Sequence, residues 1–164
     1  APRDFTAKWL AKRLADYGRG DPEIRFTLVA SEGDLDFTEA NLDLAIRLAE
    51  GPGENEGVKL ADGAFVTIAA ADGAADTRIA WPGCPSDEDS PALRVADAGL
   101  AIDAAVNGFG RTSVPELLAV ADIAAGRVKA VGDARQSPLA YWLIAPLPQW
   151  RQKKVKALVE ALTG

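Results

Sequence analysis

Residues 96–110, ADAGLAIDAAVNGFG, combine a helix start, an almost entirely apolar helix body and a glycine-marked exit. Asp97 is a candidate N-cap, because its carboxylate can accept hydrogen bonds from the free N–H groups of the first turn. Gly108 favours the left-handed backbone that often follows a helix C-terminus. A helix this apolar is expected to be buried. Its N-terminus would suit an anionic group if it faces a cleft.

The 164-residue chain is long enough for a sizeable core or for two small lobes. Apolar residues make up 48% and charged residues 26%, which is typical of a globular protein, and no apolar run approaches the length of a membrane span. The net charge of -6 argues against direct binding of this chain to the phosphate backbone of a nucleic acid. We therefore expect a globular protein without a membrane partner.

The chain has no histidine, and its single cysteine is Cys84. Without histidine the chain cannot form a Ser-His-Asp triad or a Cys-His dyad. It also lacks the side chain that usually acts as a general base at neutral pH. A lone cysteine forms no internal disulfide, which favours a reducing, cytoplasmic setting. Asp87 and Asp89 lie in a polar loop with no apolar surroundings to raise a pKa. We predict no enzyme activity, no catalytic residue, no metal site and no cofactor.

Strands and helices alternate along the chain, which predicts an α/β fold with mostly parallel sheets. The predicted strands include a mostly buried one over residues 24–30 and a central one over 139–145, LAYWLIA. Amphipathic helices are predicted over residues 4–18, with Lys8 on the wet face, and over 149–162. Further helices are predicted over residues 35–40 and 115–125. Residues 51–57, GPGENEG, superficially resemble a phosphate-binding loop, but their two glutamates and lack of a basic residue favour a surface turn.

Six blocks of the chain resemble, in their order and spacing, the effector-binding domain of LysR-type transcriptional regulators, in the branch related to the glycine-cleavage activator. Each block is weakly specific alone, whereas the ordered set is specific. The blocks are FTAKWLAKRL (5–14), DPEIRFTLVA (21–30), DFTEANLDLAIR (36–47), DAGLAIDAAVNGFG (97–110), VPELLAVADIAAGRV (114–128) and AYWLIAP (140–146).

The resemblance implies the fold of type 2 periplasmic binding proteins, in which two small α/β lobes hold an effector in the cleft between them. Lobe one would be residues 1–63 plus 138–164, and lobe two, shortened between residues 70 and 92, would be 64–137. The family's winged helix-turn-helix is absent, so DNA would be a partner only through a domain missing from this chain. We expect an effector-sensing, dimerising domain that binds a small carboxylate-bearing molecule.

The resemblance, with the residue chemistry, selects six candidate ligand-binding residues. Helix starts near Thr6 and Asp97 would favour a carboxylate, and Arg47 could offer it a bidentate fork. The alternatives are helix capping at residues 4–6 and at Asp97, a structural ion pair at Arg47 and a core position for Phe109. The candidates are Asp4, Phe5, Thr6, Arg47, Asp97 and Phe109.

Two other functions remain open on the sequence. An exported solute-binding protein of a transporter would use the same two-lobed fold, and a structural dimerisation module with a decayed pocket would fit the shortened second lobe. The chain contains no methionine, so we expect a processed product or a piece of a longer protein.

Overall fold

The computed structural model describes residues 1–30, 36–37, 42–72, 76–85 and 90–164. The chain divides into two compact units. Unit 1 comprises residues 1–6, 10–63 and 138–164, and unit 2 comprises residues 7–9 and 64–137. Within the described ranges, no helix combines the length and the apolar character needed to cross a membrane.

The N-terminal helix predicted over residues 4–18 is confirmed and is unusual in its middle. It consists of α1 (Arg3–Phe5), a π-helical segment (Thr6–Leu10) and α2 (Ala11–Gly20), which follow one another without a break. Phe5, Leu10 and Leu14 are all buried, although Phe5 and Leu10 are five residues apart. The wider π turn explains this spacing, because it brings positions five apart onto one face.

The sheet of unit 1 has the strand order β1 (Ala45–Ala49), β9 (Ala140–Ala145), β2 (Glu56–Lys59). The prediction of a central strand over residues 139–145 is therefore confirmed. Leu143 of β9 is completely buried and lies opposite Ile46 of β1. Two C-terminal helices follow β9, namely α5 (Leu147–Trp150) and α6 (Lys153–Thr163), and α6 packs against α2.

The prediction of a buried strand over residues 24–30 is wrong. These residues belong to no strand, and Phe26, Leu28 and Val29 are exposed. A strand is stable only when its backbone groups have a paired neighbour, and β1 forms a ladder with β9 alone in the described sheet. Residues 25–29 and 42–46 instead line a groove of about 500 Å³ in unit 1. The predicted helix over 35–40 lies largely outside the described residues.

The sheet of unit 2 is built around β3 (Ala64–Ala70), which pairs with three strands. Two helices, α3 (Ala98–Val106) and α4 (Glu116–Ala124), pack on it. Ile68, Ile102, Val114 and Leu118 form its most deeply buried core. The other strands are β4 (Ile79–Ala80), β5 (Leu93–Arg94), β6 (Thr112–Pro115), β7 (Val128–Ala130) and β8 (Arg135–Gln136).

The α/β class is as predicted, but the expectation of mostly parallel sheets is wrong. Both neighbours of β9 run antiparallel to it, and so do all three partners of β3. Among the described ladders only β4 and β5 pair in parallel. Alternating helices and strands give a parallel sheet when consecutive strands become neighbours. Here the C-terminal strand β9 inserts between β1 and β2, which reverses the local direction.

Candidate functional site

The candidate site is an open pocket of about 380 Å³ in unit 1, around the guanidinium group of Arg47. It contains both signs of charge, since Arg47 and Glu54 line it together, and the amide of Asn55 adds a donor and an acceptor. The remaining lining residues are Phe37, Ala45, Gly53 and Ile144. This volume is near the lower end of the range for small-molecule sites.

The floor of the pocket is one face of the unit 1 sheet. Ala45 lies opposite Ile144, and Arg47 lies opposite Trp142, so these four side chains project from the same face. Trp142 also lies opposite Lys59, whose Nζ is 5.8 Å from the indole centroid. The ring quadrupole of the indole therefore stabilises the positive charge of Lys59 on this face.

The loop that precedes β2, residues 51–55, forms a wall of the pocket because Gly57 of β2 lets it lie close to the sheet. A Cβ atom at Gly57 would lie 2.7 Å from Cβ of Pro52 and 2.9 Å from Cγ2 of Ile144. Gly53 has φ of 71°, and a Cβ atom there would lie 3.5 Å from Nη2 of Arg47. The loop is thus a surface turn, as predicted. It also brings Glu54 and Asn55 to the pocket, a role that was not predicted from the sequence.

The predicted ligand loop at the start of the first helix is placed differently from Arg47. Phe5 is completely buried and its ring centroid lies 4.4 Å from that of Tyr141. Tyr141 and Trp142 are consecutive on β9 and therefore face opposite sides of the sheet. Phe5 consequently packs on the face away from Arg47, which is a core position.

The two polar neighbours of Phe5 make local hydrogen bonds. The backbone N–H of Phe5 donates to Oδ1 of Asp4 at 2.8 Å, and the N–H of Thr6 donates to the carbonyl of Pro2 at 3.0 Å. The second bond is an ordinary helical one, since Pro2 is the N-cap of α1, and no side-chain cap hydrogen bond is found at this end among the described residues. Capping by residues 4–6 is therefore not confirmed, and their ligand role stays a prediction.

Asp97 and Phe109 lie in unit 2, at opposite ends of α3. Asp97 is the N-cap of the helix, and its Oδ1 accepts a 2.8 Å hydrogen bond from the N–H of Leu100. Phe109 is exposed beyond the C-terminus, where Gly108 has φ of 84°. The predicted cap and the predicted left-handed exit are both confirmed, and the Asp97 carboxylate already occupies a donor that an anionic ligand would need.

Replacing Asp97 with alanine is expected to lower the free energy of unfolding by about 1 kcal/mol, because the first turn of α3 loses its acceptor. Asp97→Asn is the matched control, since asparagine keeps an oxygen for the Leu100 N–H and should cost little. Urea denaturation of the three proteins measures the difference. If both variants lost the same free energy of unfolding, the carboxylate of Asp97 would stabilise the protein by some means other than the cap hydrogen bond.

A second charged cluster lies inside unit 2 and was not predicted. Nζ of Lys8 lies 2.6 Å from Oδ1 of Asp103 and 3.3 Å from Oδ2 of Asp122, and Nε of Arg127 donates to Oδ1 of Asp122 at 2.5 Å. Burial alone would lower the pKa of Lys8, but the hydrogen bond to Asp103 and the two carboxylate charges outweigh it and raise that pKa. The prediction that Lys8 lies on a wet face is wrong, because its side chain is only 17% exposed.

The remaining chemistry-bearing groups of the described residues form no further site. No group of three or more cysteine, aspartate or glutamate side chains with metal-binding geometry is present in the described ranges. Cys84 is half-buried, and its Sγ lies 3.6 Å from the carbonyl oxygen of Ser113. The pocket around Arg47 is therefore the candidate binding site.

Comparison with known proteins gives a clear result for the fold. No model of a known protein family and no curated protein matches the sequence. Solved structures do match. The regulatory domain of CrgA, a LysR-type transcriptional regulator from Neisseria meningitidis, is similar with a TM-score of 0.76 and 17% identity, over 99% of this chain and 94% of that domain.

The effector domain of the transcriptional regulator AmpR of Pseudomonas aeruginosa is similar with a TM-score of 0.75 and 18% identity, over 98% of this chain and 92% of that domain. The full-length virulence activator AphB of Vibrio cholerae matches over 99% of this chain but 65% of its own length, with a TM-score of 0.73 and 16% identity. The chain thus has the fold of these regulatory domains. The narrower expectation of the glycine-cleavage-activator branch is not confirmed.

Proposed function

We propose that this chain is the effector-sensing and dimerisation domain of a LysR-type transcriptional regulator, and that it binds a small carboxylate-bearing molecule. The observation that carries the proposal is the fold likeness to regulatory domains, which extends over nearly the whole of this chain and of theirs. DNA would be bound by a separate domain, outside these 164 residues. Such a regulator works in the cytoplasm, where it meets DNA.

Arg47 is the residue that we assign to the carboxylate of the effector. A guanidinium group presents N–H donors in a planar fork that matches both oxygens of a carboxylate. The backbone of Arg47 is held in strand β1, and the loop at Gly53 lies close to its guanidinium group. Both restrict the movement of the side chain. A rigid first contact of this kind reduces the ordering cost of binding.

Effector binding would be transmitted as a population shift. A ligand changes an equilibrium between two arrangements only by the difference in its affinity for them. The loop that carries Glu54 is the element that would respond to the ligand. It follows β1 at one end, and at the other end it is held where Gly57 packs against Ile144. A ligand held by both Arg47 and this loop would favour the arrangement in which they are close.

Replacing Arg47 with alanine is expected to weaken binding of a carboxylate effector at least about tenfold, because a hydrogen bond to a charged group contributes about 1.5–3 kcal/mol. Arg47→Lys should recover only part of the affinity, since an ammonium group lacks the planar fork. Calorimetric titration of the folded protein with a panel of small carboxylates and amino acids measures this. Arg94→Ala, at an exposed position in unit 2, is the control.

The same titration separates the other candidate functions. A folded dimer that binds no member of the panel would contradict the sensing role and favour a structural dimerisation module. The exported solute-binding protein is not favoured, because the matching structures described above are transcriptional regulators. Unchanged binding in Arg47→Ala would retain a sensor but reject the assignment of Arg47.

A further inference from the structure

We propose that the effector is a zwitterion of the α-amino acid type, whose carboxylate binds Arg47 and whose ammonium group binds Glu54. This inference rests on the proposed function, because it names the chemical class of ligand for the same pocket. It goes further in assigning a recognition role to Glu54, to Asn55 and to the apolar wall.

The two charges belong to different structural elements that meet in one pocket. Arg47 projects from β1, whereas Glu54 comes from the loop that Gly57 holds against the sheet. Residues of opposite charge that line one pocket of about 380 Å³ suit a molecule that carries both charges. The amide of Asn55 can donate to the carboxylate or accept from the ammonium group, so it fits either end.

Glu54 also discriminates against other acids. A simple carboxylate would bring its negative charge toward Arg47 without neutralising the carboxylate of Glu54. A dicarboxylate would place a second negative charge in a pocket that already contains one, and like charges at close range are unfavourable. The presence of Glu54 therefore favours an amino acid over mono- and dicarboxylates.

The rest of the lining limits the size and character of the ligand. Phe37, Ala45 and Ile144 give the pocket an apolar wall and floor. A volume of about 380 Å³ suits one small molecule with a short apolar side chain and not an extended peptide. Trp142 and Lys59 lie on the same face of the sheet and add no negative charge near the carboxylate end.

Calorimetric titration of the full 164-residue protein with the twenty standard amino acids tests the proposal. Each binder is then compared with its N-acetyl derivative and with the acid of the same skeleton that lacks the amino group. Either change removes the positive charge, and we expect binding at least about tenfold weaker, equivalent to about 1.4 kcal/mol. Equal affinity for all three forms would overturn the proposal.

Two variants of Glu54 make the test specific. Glu54→Gln should weaken amino-acid binding about tenfold while strengthening the binding of simple acids, because the like charge that opposes them is removed. Glu54→Lys should shift the preference toward dicarboxylates such as succinate. Glu56→Gln removes the same charge two residues away, outside the pocket lining, and should change nothing. If carboxylates bind without regard to the amino group, only the zwitterion inference fails. If no acid of any kind binds, the proposed sensing function fails as well.

Discussion

Replacing Asp122 with alanine is expected to lower the free energy of unfolding by about 3 kcal/mol, the largest loss that we expect from any single charge. The side chain of Asp122 is only 7% exposed, and its carboxylate contacts both Lys8 and Arg127. Removing one partner of a buried pair leaves the other charge desolvated, which costs about 3–5 kcal/mol. Lys8 keeps its 2.6 Å contact with Asp103, which places the expected loss at the lower end. Urea denaturation at neutral pH measures it.

Asp103→Ala is the matched control, because it removes a carboxylate from the same ammonium group. Its side chain is 57% exposed, and Lys8 keeps its contact with the buried Asp122 when Asp103 is removed, so the expected cost is below about 1 kcal/mol. The geometric distances alone would rank the two carboxylates the other way, since Asp103 is the closer to Lys8. A larger loss in Asp103→Ala than in Asp122→Ala would show that distance and not burial decides the strength of this cluster.

The parts of the fold that the sequence predicts are those encoded by neighbouring residues. The cap at Asp97 and the exit at Gly108 are local, because each is a property of one helix end. The central position of β9 follows from its uninterrupted apolar run, which requires cover on both faces. Whether neighbouring strands run parallel or antiparallel cannot be predicted in this way, because it depends on which distant segment lies beside each strand. Nothing in the run 140–145 states that β9 separates β1 from β2.

In the candidate site too, the features encoded by neighbouring residues can be predicted from the sequence, and the contacts between distant segments cannot. Arg47 is recognisable as a charged residue within the apolar strand β1, whereas its neighbours Phe37 and Glu54 come from segments with no local signal for binding. Gly57 is the residue from which the packing of this loop could have been predicted, because a glycine inside a strand often marks a close approach of another backbone segment. Lys8 was misplaced because a helical wheel at 3.6 residues per turn does not apply across a π segment.

Replacing Gly110 with alanine is expected to lower the free energy of unfolding by about 3 kcal/mol, because its site has no room for a methyl group. A Cβ atom there would lie 2.7 Å from Oγ1 and 2.8 Å from the carbonyl carbon of Thr77. The backbone cannot easily withdraw, since the N–H of Arg111 donates to the carbonyl of Thr77 at 2.8 Å and the N–H of Ile79 donates to that of Arg111 at 2.8 Å. The added methyl group would therefore separate two segments that these bonds hold together.

Gly108→Ala is the control two residues earlier, where the physical reason for glycine is different. Gly108 has φ of 84° and no atom within 4 Å of an added Cβ, so alanine there meets backbone strain without a clash. Such strain costs about 1 kcal/mol. Thermal and urea unfolding of both variants distinguishes the two causes, and an equal or larger loss in Gly108→Ala would contradict the assignment of Gly110 to close packing. If the order is as expected, Gly110→Ala should also speed amide exchange at Ile79 and Arg111, whereas Gly108→Ala should leave those two amides unchanged.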